Sequence, residues 1–242
     1  MFKRDTPENL QRLRVEYGHL DGLDLLDAAV HRAFPGRVAA VTSFGAESAV
    51  LLDLLAQTAP ATPVIFLETG KHFTETLLYR DRLVERLGLT DVRSVAPDPA
   101  ELAAEDPDGT LHQSAPESCC DLRKVRPLAR SLAGFDSWIT GRKRFQASTR
   151  AGLPTIEWDA GHYKVNPLAR WSAQDLARQF DARGLPRHTL ATVGYRSIGC
   201  QPCTSLPHDP NDPRSGRWAG SSKTECGIHG ATWARAVPSR RK

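Results

Sequence analysis

The stretch VAAVTSFGAESAVLLDLLAQ, residues 38 to 57, decides the fold class. An apolar run leads into a short turn that contains Gly45, and apolar residues at helical spacing follow the turn. This order predicts a buried strand that passes through a tight turn into a helix packed on a sheet. Such a turn lies at the carboxyl end of its strand, which is where open α/β sheets bind their ligands.

The same alternation continues along the chain. After it we expect further strands, one helix that stops at a glycine, and one amphipathic helix from about Ser172 to Arg183. The segments that predict these elements are TPVIFLETG (62–70), FTETLLYRDRLVERLG (73–88), DVRSVAP (91–97), SWITGRKR (137–144), TIEWD (155–159) and HYKVNPL (162–168). Strands that alternate with helices predict the α/β class, with a parallel sheet and helices on both faces.

The composition limits the kinds of partner. The chain has 242 residues, of which 40% are hydrophobic, and this is enough for one sizeable domain. The net charge of +4 suits an anionic ligand, but Lys and Arg are spread along the chain, which disfavours nucleic acid. The first residues contain no apolar signal region, and no stretch has the length of a membrane span. We therefore expect a cytoplasmic protein without a membrane partner.

The segment LPHDPNDPRSGRWAGSS, residues 206 to 222, is rich in Pro, Gly and charge. This composition is typical of a mobile surface loop. It predicts a division into a domain of residues 1–205 and a flexible C-terminal segment of residues 206–242. Arg214 and Arg217 lie in this segment, and their guanidinium groups suit a phosphate or a sulfate.

Three turns predict one polar pocket at the ends of the strands. SFGAES (43–48) offers hydroxyl groups and backbone N–H groups at a helix start, which suits a phosphate, although ordinary strand-to-helix turns use similar residues. ETGK (68–71) and TGRKRFQ (140–146) follow two further predicted strands. Because the carboxyl ends of parallel strands meet at one edge, all three turns are expected to line the same pocket. A solvated basic loop remains the alternative for residues 141–150.

Four of the five cysteines form two pairs, in PESCCDLRK (116–124) and GCQPC (199–203). In a reducing compartment such pairs favour metal ligation or thiol chemistry over disulfides. Four thiolates could hold a structural zinc ion, but adjacent cysteines diverge, and an iron–sulfur cluster offers a separate iron to each thiolate. Arg123 and Lys124 could balance the negative charge of such a cluster. Cysteines without a ligand in the core are the third interpretation.

The fifth cysteine, Cys226, lies in KTECGIHG (223–230) between Lys223 and His229. Nearby positive charge stabilises a thiolate, and the thiolate is the nucleophile. A plain surface cysteine is the alternative. If the other four cysteines hold a metal, a reaction that consumes two thiols must take the second from another molecule.

Eight motifs together resemble a known family. They are SFGAES, LETGKHF, CCDLRKVRPL, TGRKRFQ, KVNPLARW, GYRSIGCQPCT, GRW and KTECGIH. In this order, from about Val38 to Gly230, they resemble the assimilatory adenylyl-sulfate (APS) reductases of the phosphoadenylyl-sulfate (PAPS) reductase family. The resemblance implies an adenine nucleotide alpha-hydrolase-like, Rossmann-like fold with a mobile C-terminal tail, in which SFGAES is a modified pyrophosphate loop. Glu68 and Thr74 stand where the family usually has Asp and Pro.

The resemblance also implies roles for individual residues. Cys226 matches the catalytic nucleophile, and His229 and Lys124 are the other expected catalytic residues, with Lys124 between cluster and substrate. The expected ligands of a 4Fe-4S cluster are Cys119, Cys120, Cys200 and Cys203. The expected substrate-binding residues are Ser43, Phe44, Gly45, Ser48, Thr69, Gly70, Arg142, Arg144, Gln146, Arg214 and Arg217.

The activity that the resemblance implies is the reduction of adenosine 5′-phosphosulfate to sulfite and AMP, through an S-sulfocysteine, in sulfate assimilation toward cysteine. The expected reductant is thioredoxin or glutaredoxin as a separate protein, and family precedent implies a homo-oligomer. A preference for PAPS, or for both nucleotides, is the alternative. More distant alternatives are an adenylating enzyme of the ATP pyrophosphatase type and a zinc-binding interaction module.

Overall fold

A six-stranded sheet forms the centre of the computed structural model, which describes residues 7–219, 221 and 223–229. The strands are β1 (Val38–Thr42), β2 (Val64–Leu67), β3 (Val92–Val95), β4 (Ser137–Thr140), β5 (Ile156–Asp159) and β6 (His162–Val165). Their order across the sheet is β3-β2-β1-β4-β6-β5. The pairs from β3 to β6 are parallel, as the alternation of strands and helices predicts.

The edge pair β5–β6 departs from the predicted parallel arrangement and is antiparallel. Only Ala160 and Gly161 connect the two strands, and both have positive φ, 46° and 85°. A two-residue connection of this conformation makes a hairpin, which forces the strands to run antiparallel. The sheet is therefore parallel with one antiparallel edge strand.

Ten α-helices are described. They are α1 (Pro7–Tyr17), α2 (Gly22–Asp27), α3 (Ser48–Thr58), α4 (Thr74–Leu87), α5 (Pro99–Glu105), α6 (Leu111–Ser114), α7 (Pro116–Cys120), α8 (Arg126–Leu132), α9 (Ala173–Ala182) and α10 (Thr189–Thr192). The predicted helices are confirmed as α3, α4 and α9. Gly88 ends α4 in the left-handed conformation, φ 63°, and its N–H donates to the carbonyl of Glu85.

The sheet is covered on both faces, as predicted. Successive residues of β1 point to opposite sides, so that Val38 and Ala40 join the larger core while Ala39 and Val41 join the smaller one. The larger core receives α2, α3 and α9, and the smaller core receives α8. None of the described helices is long and apolar enough to cross a membrane.

The cysteine pair lies on a helical path that was not predicted. Helix α7 ends at Cys120, a π-helical turn covers Asp121–Val125, and α8 continues to Leu132. The π turn carries Arg123 and Lys124. Such insertions occur often at functional sites because they rotate the side chains of one turn away from the regular helical positions.

Candidate active site

A cavity of about 230 Å³ lies at the carboxyl ends of β1 and β4. Its wall combines the turn after β1, the turn after β4, residues 196–200 and parts of residues 214–229. The predicted site residues on this wall are Ser43, Gly45, Ser48, Lys124, Arg142, Gln146, Cys200, Arg214, Arg217, Cys226 and His229. Residues from distant parts of the sequence thus surround one space.

Four of the predicted substrate-binding residues lie off this wall. Phe44 is fully buried with a positive φ of 49°, and its ring packs edge-on against Phe66. Arg144 is exposed and donates from Nε to the carbonyl of Leu153. The other two are Thr69 and Gly70, which lie in the turn ETGK after β2.

This turn, ETGK, faces the cysteines instead of the cavity. Thr69 Oγ1 is 3.4 Å from Cys200 Sγ, and the Thr69 carbonyl accepts a hydrogen bond of 2.7 Å from Arg123 Nη1. The Glu68 carboxylate accepts from the N–H of Gly70 at 3.0 Å. The expectation that three strand-end turns line one pocket is therefore correct for two of them. The third turn is off the wall, and its two neighbours along the chain, Leu67 and His72, lie on it.

The turn after β1 is anchored to the turn after β4 by Glu47. Its Oε2 accepts from Lys143 Nζ and from Gln146 Nε2, both at 2.7 Å. Lys143 is buried, and burial lowers its pKa, while the carboxylate of Glu47 opposes this shift. Glu47 was quoted within SFGAES but not predicted as a site residue, because its partners lie almost a hundred residues further along the chain.

Three arginines on the wall are already paired with carboxylates. Arg142 Nη2 donates to Glu157, and Arg150 and Arg214 both donate to Glu225. Burial, followed by the charge of Arg150, lowers the pKa of Arg142 to about 10. We call Arg142, Arg150 and Arg214 the arginine wall. Arg150 and Glu225 were absent from the predicted site residues.

The ring of His229 lies flat on Trp138, with 5.2 Å between centroids and 5° between planes. Burial, then the charges of Arg142 and Lys164, hold the pKa of His229 well below its usual range, so the imidazole is neutral at neutral pH. Lys164 Nζ is 5.0 Å from the Trp138 ring centroid and pairs with Asp159. Its pKa is lowered to about 8, mainly by burial. Trp138 and Lys164 belong to β4 and β6, where they read as ordinary strand residues in the sequence.

Cys226 is half-buried on the cavity wall. The cations that interact with its charge come from elsewhere in the chain and are Lys124, Lys164 and Arg214. The predicted neighbours have other partners, since Lys223 forms an ion pair of 2.5 Å with Glu117 and His229 stacks on Trp138. Stabilisation of a thiolate by nearby charge therefore stays a prediction, with a different set of cations.

We call the four remaining cysteines the thiol side. Cys200 is on the cavity wall, and Cys119, Cys120 and Cys203 are off it. Cys119 and Cys120 end α7. Cys200 directly precedes the 3₁₀ turn Gln201–Cys203, and Cys203 is the last residue of that turn. All are free thiols; Cys203 is half-buried and the other three are buried. Burial raises the pKa of Cys119 and Cys203, and that of Cys120 to about 12.

Lys124 lies between the thiol side and Cys226. Burial would lower its pKa, but the charges of Cys200, Cys120 and Cys226 outweigh burial and raise it. In turn, burial would raise the pKa of Cys200, and Lys124, the largest opposing cause, brings the net shift downward. The Lys124 ammonium is thus arranged to interact with negative charge on sulfur.

Arg123 differs from Lys124 in having a carboxylate partner, although its charge also opposes the effect of burial on the pKa of Cys119. Its guanidinium pairs with the buried carboxylate of Asp106 at 2.6 Å and also donates to Thr69. Asp106 in addition accepts from the N–H of Leu111 at 2.8 Å. Arg123 therefore joins three segments around the thiol side, and its charge acts on Cys119 while that of Lys124 acts on Cys120 and Cys200.

The donor set fits an iron–sulfur cluster. Among the described residues, no three His, Cys, Asp or Glu side chains converge closely enough to hold one metal ion. The four thiols nevertheless belong to one neighbourhood, because Cys200 interacts electrostatically with each of Cys119, Cys120 and Cys203. Four neighbouring thiols have the donor chemistry that an iron–sulfur cluster requires.

The described part of the predicted C-terminal segment packs on the rest of the chain. Trp218 is buried, and Arg217 donates to the carbonyl of Cys203 at 3.2 Å. Its predicted flexibility and the boundary at residue 205 stay predictions. Residues 220, 222 and 230–242 of that segment lie outside the described residues.

Comparison with known proteins identifies the family. The profile of the phosphoadenosine phosphosulfate reductase domain matches residues 37–206. An adenosine 5′-phosphosulfate reductase of Mesorhizobium japonicum is 53% identical over 213 residues, which are 88% of this chain and 84% of that protein. A phosphoadenosine 5′-phosphosulfate reductase of Gloeobacter violaceus is 40% identical over 91% of this chain and 93% of its own length.

Solved structures agree with the fold. A phosphoadenylyl-sulfate reductase from Candida auris, crystallised with phosphate, superposes with a TM-score of 0.70 at 27% identity, over 83% of this chain and 98% of that one. A yeast FAD synthetase, at 14% identity and a TM-score of 0.53, covers 83% of this chain and 75% of its own and shares the fold alone. The predicted adenine nucleotide alpha-hydrolase-like fold and the predicted family are both confirmed, and the chain belongs to the phosphoadenosine phosphosulfate reductase family.

Proposed function

We propose that this protein reduces adenosine 5′-phosphosulfate to sulfite and AMP, with Cys226 as the nucleophile. The observation that carries the proposal is the position of Cys226 on the same cavity wall as the turn after β1 and the arginine wall. A thiol thereby faces a space in which cations and a helix start can hold a phosphate and a sulfate. The names of the similar proteins supply the substrate class.

The substrate would bind through the predicted residues that line the cavity. The turn of Ser43, Gly45 and Ser48 offers hydroxyl and N–H groups, while Arg142, Gln146, Arg214 and Arg217 approach from the other sides. Arg217 has no carboxylate partner among the described side chains and lies 4.5 Å from the Trp218 ring centroid. Phe44, Thr69, Gly70 and Arg144 then support these residues from behind rather than contacting the nucleotide.

In the first step, the Cys226 thiolate attacks the sulfur atom of the sulfate group. A bond forms between the two sulfur atoms, and the bond between sulfur and the bridging oxygen breaks, with its electron pair leaving on AMP. Lys124 and Arg214, whose charges interact with that of Cys226, offset its movement. A neutral His229 can donate or accept one hydrogen bond from its unpartnered Nδ1. The product on the protein is S-sulfocysteine.

In the second step, a thiolate of thioredoxin or glutaredoxin attacks Cys226 Sγ and releases sulfite. The second thiol of the reductant then breaks the mixed disulfide, which restores Cys226 and supplies two electrons in total. The exposed fraction of Cys226 supports access by a second protein. Every other cysteine of the chain belongs to the thiol side, so the reducing thiols come from outside it.

Cys119, Cys120, Cys200 and Cys203 would hold a 4Fe-4S cluster. When bound, the cluster supplies negative charge beside Lys124 and so tunes the cation that faces the substrate. The fit of four neighbouring thiols supports this assignment over a zinc-binding interaction module.

Adenosine 5′-phosphosulfate is favoured over its 3′-phosphorylated form because the relatives with the higher identities carry the former name. Five free cysteines suit a cytoplasmic protein. The homo-oligomer stays a prediction, which light scattering tests.

The test replaces Cys226 by Ser in protein purified without oxygen. We expect the variant to retain iron and sulfide and to bind AMP, and to produce no sulfite from adenosine 5′-phosphosulfate and thioredoxin. Sulfite production by this variant at the wild-type rate would overturn the proposal. Release of pyrophosphate from ATP by the wild-type protein would instead favour an adenylating enzyme.

A further inference from the structure

The residue before the proposed nucleophile places a carboxylate between two arginines. Glu225 Oε1 accepts from Arg150 Nε at 2.9 Å and from Arg150 Nη2 at 2.6 Å. Glu225 Oε2 accepts from Arg214 Nη2 at 3.2 Å, and the same nitrogen donates to the carbonyl of Thr224 at 2.8 Å. Two guanidinium groups thus hold the short segment that carries Cys226.

Cationic side chains far outnumber carboxylates on the cavity wall. The wall carries seven cationic side chains, Lys124, Arg142, Lys143, Arg150, Arg196, Arg214 and Arg217, and two carboxylates, Glu47 and Glu225. Glu47 serves Lys143 and Gln146. The side chains of Glu225, Arg150 and Arg214 are 26%, 10% and 17% exposed, so the pairs are partly shielded from water.

A guanidinium fork binds carboxylate, phosphate and sulfate oxygens by the same geometry. The carboxylate of Glu225 occupies Nη2 of both Arg150 and Arg214. An anion that enters the cavity can use these nitrogens only when the carboxylate leaves. Because one anion replaces another, the two guanidinium groups have an anionic partner in both states.

We propose that Glu225 is an internal counter-anion, which holds Arg150 and Arg214 in the free protein and is displaced by the phosphate or sulfate group of the substrate. This inference rests on the proposed function, since it takes an anionic nucleotide as the ligand. Displacement also breaks the contacts of Glu225 with Arg150 and Arg214 and leaves the hydrogen bond from Arg214 to the Thr224 carbonyl, so that binding of substrate loosens the segment of the nucleophile. Glu225 is therefore a positioning residue that acts through its neighbours.

A second contact of the same segment provides a matched control. Lys223, two residues before Glu225, pairs with Glu117 of α7 at 2.5 Å. Glu117 is not on the cavity wall, and its side chain is 66% exposed. Glu117→Gln therefore loosens the segment without removing an anion from the cavity.

The experiment measures the affinity of AMP, and separately of inorganic sulfate, for the full chain by calorimetry. Glu225→Gln keeps the shape of the side chain and removes its charge, so we expect both ligands to bind about tenfold more tightly, equivalent to 1.4 kcal/mol. Glu225→Ala should change the affinity in the same direction. Glu117→Gln should leave it within about twofold of the wild type.

Kinetics supply a readout that loss of structure would not produce. Glu225→Gln should lower KM for adenosine 5′-phosphosulfate, because the anion no longer competes with a carboxylate. It should also lower kcat, because the segment of Cys226 is no longer positioned by the Glu225 carboxylate. Equal or weaker binding of both ligands by Glu225→Gln would overturn this inference and leave the proposed function intact. If the wild-type chain bound neither ligand and formed no sulfite, the proposed function would fail, and the inference with it.

Discussion

The cationic side chains on the two sides of the cavity have different partners. On the arginine wall, Arg142, Arg150 and Arg214 each pair with a carboxylate of the chain itself. On the thiol side, Lys124 has no carboxylate partner among the described residues and interacts with sulfur atoms. The difference indicates that the arginine wall has carboxylate partners within the chain, whereas Lys124 gains its counter-charge from the thiol side and the reacting groups.

The substitution with the largest expected effect is Lys124→Met. Since no carboxylate competes for this ammonium, its loss removes stabilisation of the charge that moves during attack by Cys226. We expect sulfonation of Cys226 to slow by about 10²- to 10³-fold in single turnover, with iron content unchanged. Lys71→Met is the control, because Lys71 Nζ donates to the carbonyl of Gly109 and lies off the cavity wall. Equal rates in the two variants would contradict the distinct role of Lys124.

The second prediction concerns Arg123, which lies beside the thiol side and, unlike Lys124, pairs with a carboxylate. Arg123→Met leaves Asp106, whose side chain is 1% exposed, without its charged partner. We expect the free energy of unfolding in urea to fall by about 3 kcal/mol. Arg126→Met, which breaks half-exposed pairs with Glu105 and Asp121, should cost less than about 1 kcal/mol. Similar losses in both variants would show that Arg123 is an ordinary surface cation.

Arg217 joins the two sides, and Gly199 controls its position. A Cβ on Gly199 would lie 2.2 to 2.8 Å from the Arg217 guanidinium, so Gly199→Ala must push that group aside. We expect AMP to bind about tenfold more weakly, through loss of one charged contact of about 1.4 kcal/mol. Gly134→Ala, where nothing lies within 4 Å of the added atom, should bind AMP as the wild type does. Unchanged affinity in Gly199→Ala would place Arg217 outside the nucleotide site.

The smallest expected effect concerns Lys164, whose charge interacts with that of Arg142 in the arginine wall. Its pKa is lowered to about 8, mainly by burial, so the folded state holds fewer protons on this group than the unfolded state above that value. Its contribution to stability therefore rises with pH between about 8 and 10.5, by at most about 1.4 kcal/mol per pH unit. Lys164→Met should flatten this part of the stability profile. A profile that is parallel to that of the wild type would show an ordinary, hydrated lysine.

Local patterns predicted the sheet and three of the helices, α3, α4 and α9. The strand–turn–helix unit at residues 38–57 is recognisable because its hydrophobic period changes within a few residues. Helices α5 to α8 were not predicted, since they are short and interrupted, and α5 buries none of its side chains. The antiparallel edge follows from the positive φ of Ala160, a residue type that gives no signal for that conformation.

The site could be predicted where a motif supplies both the residue and its role. The cysteine pairs and Cys226 are examples, because few chemistries use such thiols. The partners of Glu225 could not be predicted, since Arg150 is 75 residues away along the chain. Phe44 and Thr69 were chosen for membership of polar turns, but the left-handed backbone of Phe44 and the contact of Thr69 with Cys200 direct them elsewhere.

The most direct test of the account is the intact mass of the protein after reaction with adenosine 5′-phosphosulfate in the absence of reductant. The account predicts one added sulfonate group, located on Cys226 by peptide mapping, released as sulfite when thioredoxin is supplied and absent from Cys226→Ser. A stoichiometric sulfonate on any other residue, or steady sulfite production without an adduct on Cys226, would contradict it.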